Sequence, residues 1–319
     1  MSSLRARPSC RLIGREGEIL TNYLVAMATF AGLYALMALG LNIVWGMAGM
    51  INLGLVGFFA LGGYASALLT LRFGVPIVGG LVAAFIFAGA CGGIMALITA
   101  RLRGDYLAIV TLGFAEVVRL VASNEIWLTN GSDGISGIPG PWRGRIAPQD
   151  FNLVYLAIVL ACLAVAVFLL QNLRHSPFGR VLRAIRDDDQ VAAVAGKWVI
   201  AFKVEAFAIS AGILGLAGAL YGHYTSYIAP DAFVPLITIY IVLALSAGGT
   251  GNNYGALLGA LLIVFFQEST RFLAGWVPGL AAVQVAALRE IVISVTLILI
   301  LRFRPQGILP ERLPKLAQR

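Results

Sequence analysis

Apolar residues run in nine long segments, at 20–46, 53–71, 75–100, 106–123, 151–171, 198–222, 234–249, 253–271 and 281–301, separated by short polar breaks. The runs VPIVGGLVAAFIFAGACGGIMALITA (75–100) and FNLVYLAIVLACLAVAVFLLQ (151–171) hold no charged residue. Each is long enough, as helix, to cross a hydrocarbon core of about 30 Å at 1.5 Å per residue. A closed barrel would show alternation over about ten residues instead. The pattern predicts an all-α polytopic membrane protein.

Charge refines the topology. If all nine segments crossed, the basic N-terminal stretch (Arg5, Arg7, Arg11, Arg15) and the basic C-terminal stretch (Arg302, Arg304, Arg312, Lys315, Arg319) would lie on opposite sides. Segment 53–71 follows WGMAGMINLG (45–54), where glycines and asparagines disfavour a plain helix. Reading it as re-entrant leaves about eight transmembrane helices. The N-terminus, 101–105, 172–197 and the C-terminal tail then face the cytoplasm with 16 of the 23 Lys and Arg, as cytoplasmic loops should. This gives a cytoplasmic tail over 1–19, a membrane domain over 20–301 and a basic cytoplasmic tail over 302–319. The apolar stretch after the first arginines is too long for a secretory signal, so an uncleaved first span is expected.

Two polar interruptions stand out. The outer loop, 124–150, is dense in Gly, Pro, Asn, Asp and Ser, with Trp127 and Trp142 suited to the headgroup level. The second, 172–197, contains SPFGRVLRAIRDDDQVAAVAGK (176–197). Read as helix, Phe178, Val181, Leu182 and Ile185 form an apolar patch, and Arg180, Arg183 and Arg186 line another face. Asp187 to Asp189 break it, and a second short helix ends at Gly196. Such a pair could lie along the membrane and offer side chains to a cytosolic partner. A solvated loop that merely follows the charge rule is the other reading.

Composition sets the excluded classes. The chain is 60% hydrophobic and 12% charged, against about 45–50% and 25% for soluble domains, and its mean hydropathy is +0.89. The formal charge of +8 therefore belongs to membrane-flanking loops, not to nucleic-acid binding. Cys10, Cys91 and Cys162 are too far apart for a metal cluster, and only His175 and His223 are present. There is no phosphate-binding GxxxxGK[ST] loop. No enzyme activity, metal or cofactor is expected.

Glycines at four-residue spacing, Gly251, Gly255 and Gly259, and the set Gly215, Gly218 and Gly222 predict close helix packing in lipid. Polar residues in or near spans include Asn42, Asn52, Glu116, Arg119, Lys203, Glu205, Glu268 and Glu290. Glu116 and Arg119, like Glu268 and Arg271, can pair at i, i+3. Asn42, Asn52 and Glu116 are the candidates for lining a path.

The segments LGLNIVWGMAGMINLGLVGFFALGGYASALL (39–69), RLRGDYLAIVTLGFAEVVRL (101–120), NGSDGISGIP (130–139), SPFGRVLRAIRDDD (176–189), GLAGALYGHYTSYIAPDAF (215–233), SAGGTGNNYGALLGA (246–260) and RPQGI (304–308) resemble, in order and spacing, the LivM-type permease of the branched-chain amino-acid ABC importers. The resemblance implies a transport subunit of the bacterial inner membrane. It implies a homologous second permease, two cytosolic ATPase subunits and a periplasmic binding protein as partners. It also places coupling helices at 176–197, with Phe178, Gly179, Arg180, Arg183, Ala184, Arg186, Asp187, Gln190, Ala192 and Gly196 as coupling residues. QVAAVAG (190–196) is similar to the E-A-A-x-x-x-G loop signature of importers, with Gln190 and Val191 as departures. Charge reversal at Arg183 or Arg186 would then uncouple transport from ATP. The implied substrates are leucine, isoleucine and valine, with urea, short amides or aromatic acids served by the same architecture. A stand-alone channel or secondary transporter is the alternative of another class.

Overall fold

The long apolar runs fold into helices because every backbone polar group must find its partner within the segment once water is absent. The computed structural model describes residues 8–102, 104–144, 146–274, 282–304 and 306–311. Helix α1 (Pro8–Leu41) continues into a π-helical turn, Asn42–Met47. It is followed by α2 (Leu55–Phe73), α3 (Ile77–Ile98), α4 (Asp105–Asn124), the short α5 (Ile126–Thr129) and α6 (Pro148–His175). Two short helices, α7 (Pro177–Asp187) and α8 (Asp189–Val194), precede α9 (Val199–Thr225), α10 (Pro235–Gly248), α11 (Asn253–Ala274) and α12 (Ala282–Phe303). Seven stretches, belonging to α1, α2, α3, α4, α6, α9 and α10, are long and apolar enough to cross a membrane among the described residues. The 22-residue helices α11 and α12 complete the bundle. The chain is an all-α polytopic membrane protein.

The densest packing joins α2, α3 and α9, with α1 against α9, and α11 against α1 and α10. Leu36, Leu39, Phe58, Phe207 and Leu214 are fully buried there. Lipid gives no hydrophobic drive between helices, so close backbone approach supplies the contact. Gly62 meets Gly215, and Gly218 lies against the Phe59 carbonyl. On the other side of the bundle, Gly255 packs on the Gly248 carbonyl and Gly259 on that of Ala244.

One end of the bundle gathers 99–102, α7, α8, the α10–α11 corner and 306–311. The opposite end carries 72–76, 125–144, 146–147 and 226–234. There, Ile135–Ser136 pairs antiparallel with Tyr227–Ile228, and Arg72 donates to the carbonyls of Trp127 (2.7 Å) and Leu128 (3.2 Å). Arg143 reaches Ser226 and the Tyr224 carbonyl from the same loop. His223 ties the loop down from inside, with Nδ1 at 2.7 Å from the Pro139 carbonyl and Nε2 at 2.9 Å from Ser66 Oγ.

The structure moves one sequence expectation. Broken backbone expected near 53–71 lies earlier, over 42–54, and Leu55–Phe73 is a continuous helix. The glycines act differently on the two sides of Gly54. Gly49 has a φ of +70° and turns the chain, whereas Gly57 and Gly62 keep regular helix and admit Ala115 and Gly215. Since α2 runs from the α7–α8 end to the loop end, α1 must begin at the loop end. The Tyr23 hydroxyl accordingly meets Glu268, well along α11 from Asn253, while Asn42 meets Asn253 itself. The described course of α1 therefore runs from the loop end toward the α7–α8 end. The side chains of the N-terminal arginines, Cys10 and Arg271, and the whole of 312–319, fall outside the described residues.

Candidate functional site

At the end of α6 the chain turns on Ser176, whose Oγ accepts from the Gly179 amide at 3.3 Å, while Pro177 opens α7 with its φ already set. Gly179 is required by contact: a Cβ there would meet the Leu173 and Arg174 carbonyls, the latter at 2.7 Å. Leu182 and Ile185 are buried, and the Phe178 ring lies 5.4 Å from that of Phe202 on α9. Asp188 is extended and ends α7. Its Oδ1 then accepts from the amides of Gln190 (2.8 Å) and Val191 (3.2 Å), capping α8. Ala192 is buried, and Gly196, at a φ of +78°, closes the turn into α9. Lys203 on α9 holds Asp189 at 3.2 Å.

Arg183 and Arg186 of α7 are part-buried, turned inward to a degree the sequence does not reveal, while Arg180 stays exposed. Arg180 donates to the His175 carbonyl at 3.1 Å and Arg183 to that of Arg174 at 3.2 Å. Both grip the last turn of α6, where unsatisfied carbonyls carry partial negative charge. Arg186 donates to the Gly46 carbonyl at 2.5 Å and meets Glu311 Oε2 at 2.8 Å. The exposed surface includes Arg180, Ala184, Asp187, Gln190, Val191, Val194, Lys197 and Trp198. Val194 is 91% exposed, Trp198 75% and Val191 65%. These apolar groups face outward at the end where the basic loops gather. A cleft of about 450 Å³ beside them is lined by Gly49, Met50, Arg186, Asp188, Gln190 and Lys203.

Sequence reasoning singled out Phe178, Gly179, Ala184, Ala192 and Gly196 along with the charged and polar positions, and missed Val191, Val194, Trp198 and Glu311 as site residues. Valines and a tryptophan next to a span look like more span. Only the Asp188 cap and Gly196 turn, which detach α8 from α9, would have marked them as exposed.

The three path candidates are not brought together. Asn42 is buried, with Nδ2 donating to Asn253 Oδ1 (2.9 Å) and Oδ1 accepting from the Gly251 amide (2.8 Å). It staples α1 to the α10–α11 corner, and Gly46 leaves room for its side chain. Asn52 is buried too, its Oδ1 accepting from the Gly54 amide at 2.8 Å. Glu116 pairs with Arg119 on α4 and keeps part of its side chain accessible. Of the predicted packing glycines, Gly222 abuts Ile228. Gly251, at a φ of +79°, lies against Glu311. Among the described residues no group of His, Cys, Asp and Glu could hold a metal.

The family described as "Branched-chain amino acid transport system / permease component" matches residues 23–301. The chain is 31% identical to the high-affinity branched-chain amino acid transport system permease protein LivM of Escherichia coli K12, over 92% of this chain and 71% of that protein. It is 30% identical to the probable LivM of Methanocaldococcus jannaschii, over 88% and 91%. It is also 25% identical to LivH of E. coli K12, over 88% and 92%. No solved structure matches.

Proposed function

Because the chain belongs to the branched-chain amino acid transport permease family, we propose that it forms one half of a membrane path for leucine, isoleucine and valine, with a homologous permease as the other half. Two cytosolic ATPase subunits supply the energy and a periplasmic binding protein delivers the solute. The bundle end bearing α7 and α8 faces the cytoplasm of a bacterial inner membrane, and the described start of α1 lies on the other side. The observation that carries this reading is the capped α7–α8 pair, anchored through Leu182, Ile185 and Ala192 and presenting Val191, Val194 and Trp198 outward. Charge agrees with the orientation. Arg101, Arg174, Arg180, Arg183, Arg186, Lys197, Arg302 and Arg304 lie at this end, against Arg72 and Arg143 at the other.

The mechanism follows from rigid bodies. Closure of the ATPases on nucleotide shifts α7 and α8. Through Gly179 on the end of α6 and Phe178 on α9, that shift reaches the bundle and rocks it between inward- and outward-open states. Asn42 and Asn52 hold the broken 42–54 segment in shape and do not touch solute. Glu116 with Arg119 remains the polar pair able to meet a zwitterion's ammonium and carboxylate. Arg180 and Arg183, bound to carbonyls at the end of α6, hold α7 in position for the ATPase.

Reconstitution tests the reading. Proteoliposomes containing both permeases, the ATPases and the binding protein are expected to accumulate labelled leucine only with ATP. Uptake by this chain alone, indifferent to ATP, would favour the stand-alone transporter. Retention of urea or an aromatic acid by the binding protein, in place of leucine, would reassign the substrate.

A further inference from the structure

The last described residues, 306–311, form a strap across the α10–α11 corner. The amides of Ile308 and Leu309 donate to the carbonyls of Ala247 and Gly248, each at 2.9 Å, and Asn252 Nδ2 donates to the Leu309 carbonyl at 3.3 Å. The strap carries Glu311, whose side chain is 14% exposed. One carboxylate oxygen meets Arg186 of α7 at 2.8 Å and the other faces Arg174 of α6 at 3.7 Å. The same Arg186 guanidinium donates to the Gly46 carbonyl in the π-helical turn.

Two glycines of positive φ make room for this pair. A Cβ on Gly251 (φ +79°) would lie 2.6 Å from Glu311 Oε2, and one on Gly49 (φ +70°) would lie 2.9 Å from Arg186 Cγ. Two clefts adjoin it, the one lined by Gly49 and Arg186 and another of about 680 Å³ lined by Arg174, Arg183, Tyr254 and Glu311. Three separate pieces of chain therefore meet at one ionic pair with open space nearby.

We propose that Glu311 is a transmission residue that hooks helix α7 to the α10–α11 corner and to the break in α1. The inference rests on the reading of α7 and α8 as the element the ATPases move. Packing alone carries a shift of α7 into α6, α9 and the π-helical turn, its neighbours in the bundle, but not into the strap. The Arg186–Glu311 link carries the same shift into the strap, and from there through Ala247 and Gly248 into α10. The Gly46 contact carries it into the end of α1. A charge-assisted pair suits this work, because it resists stretching more than a neutral bond and, being mostly buried, is weakly screened.

Glu311→Gln keeps the shape and removes the charge. In proteoliposomes holding the complete importer, E311Q is expected to lower ATP-driven uptake at least about fivefold while hydrolysis changes by less than about twofold, so that ATP used per solute rises. Glu311→Asp, which restores the charge, is expected to return the ATP-to-solute ratio most of the way to wild type. An unchanged ratio in E311Q would overturn the proposal. So would uptake and hydrolysis falling together with the yield of assembled complex, the mark of a mere anchor.

A second measurement needs no ATPase. In the detergent-solubilised full chain, E311Q is expected to speed hydrogen exchange at the amides of Ala48, Gly49 and Met50, which bond back into the π-helical turn at 2.9–3.2 Å. Unchanged protection there would also overturn the link. Wild-type importer without ATP-driven uptake would instead overturn the functional reading, leaving the exchange result to decide the tie.

Discussion

Valine at Gly218 is expected to remove most of the folded permease from the membrane. A Cβ at this position would sit inside the van der Waals shell of the Phe59 carbonyl oxygen and close to the Gly63 amide nitrogen, at 3.1 Å. Both are backbone atoms of α2, so no rotamer change relieves the clash and the α2–α9 contact must open. Overpacking costs about 1–3 kcal/mol where side chains can yield and more where they cannot. Against a stability of about 5–15 kcal/mol, several kilocalories and a lost helix seam should show as aggregation after solubilisation. Gly113→Ala is the control. Nothing lies within 4 Å of a Cβ there, and helix propensity favours alanine by about 0.5–1 kcal/mol, so its size-exclusion profile should match wild type. A monodisperse G218V with wild-type yield would show that α2 and α9 do not meet as described.

The second large effect falls on transport alone. Aspartates at Val191 and Val194 together are expected to abolish ATP-driven uptake while folding, insertion and partner-permease binding persist. Both valines are exposed, at 65% and 91%, so the free permease tolerates the change. Docked against an ATPase, each carboxylate would lose its water without a partner, at about 2 kcal/mol or more. The pair would weaken docking by roughly a thousandfold. Hydrolysis by the ATPases should become independent of solute delivery. Normal uptake in the double variant would mean that the outward face of α8 touches nothing.

The legible part of this fold is the part fixed by hydropathy. Nine apolar runs became α1–α4, α6 and α9–α12, and the polar interruption at 176–197 became α7 and α8 with the break at Asp188. Charge counting required one segment not to cross and settled on 53–71, where Leu55–Phe73 is a continuous helix whose glycines serve helix contact rather than helix breaking. Composition cannot separate those uses, because a glycine at φ +70° and one facing Gly215 are the same letter.

The site was legible in place and not in orientation. Arg180, Arg183 and Arg186 align at i, i+3 and i+6, which suggests a solvated basic ridge. Arg180 does stay exposed, but all three bond to carbonyls, at the end of α6 and at Gly46, and Arg183 and Arg186 are part-buried by it. Asn42 and Asn52 are rare polar residues inside a greasy run and invite a path reading. Their partners, Asn253 and Gly251 for one and Gly54 for the other, show that broken backbone has to be hydrogen-bonded somewhere. Glu311 is the plainest case. Its role depends on a contact across 125 residues of chain, and no local pattern announces it.

The most direct test places a photo-reactive side chain at position 194 in membranes that contain the assembled importer. A cross-link from this position to a nucleotide-hydrolysing subunit is expected, with residue 194 reached by reagents only from the cytoplasmic face. Capture of no such subunit, or labelling of residue 194 from outside intact cells, would contradict it.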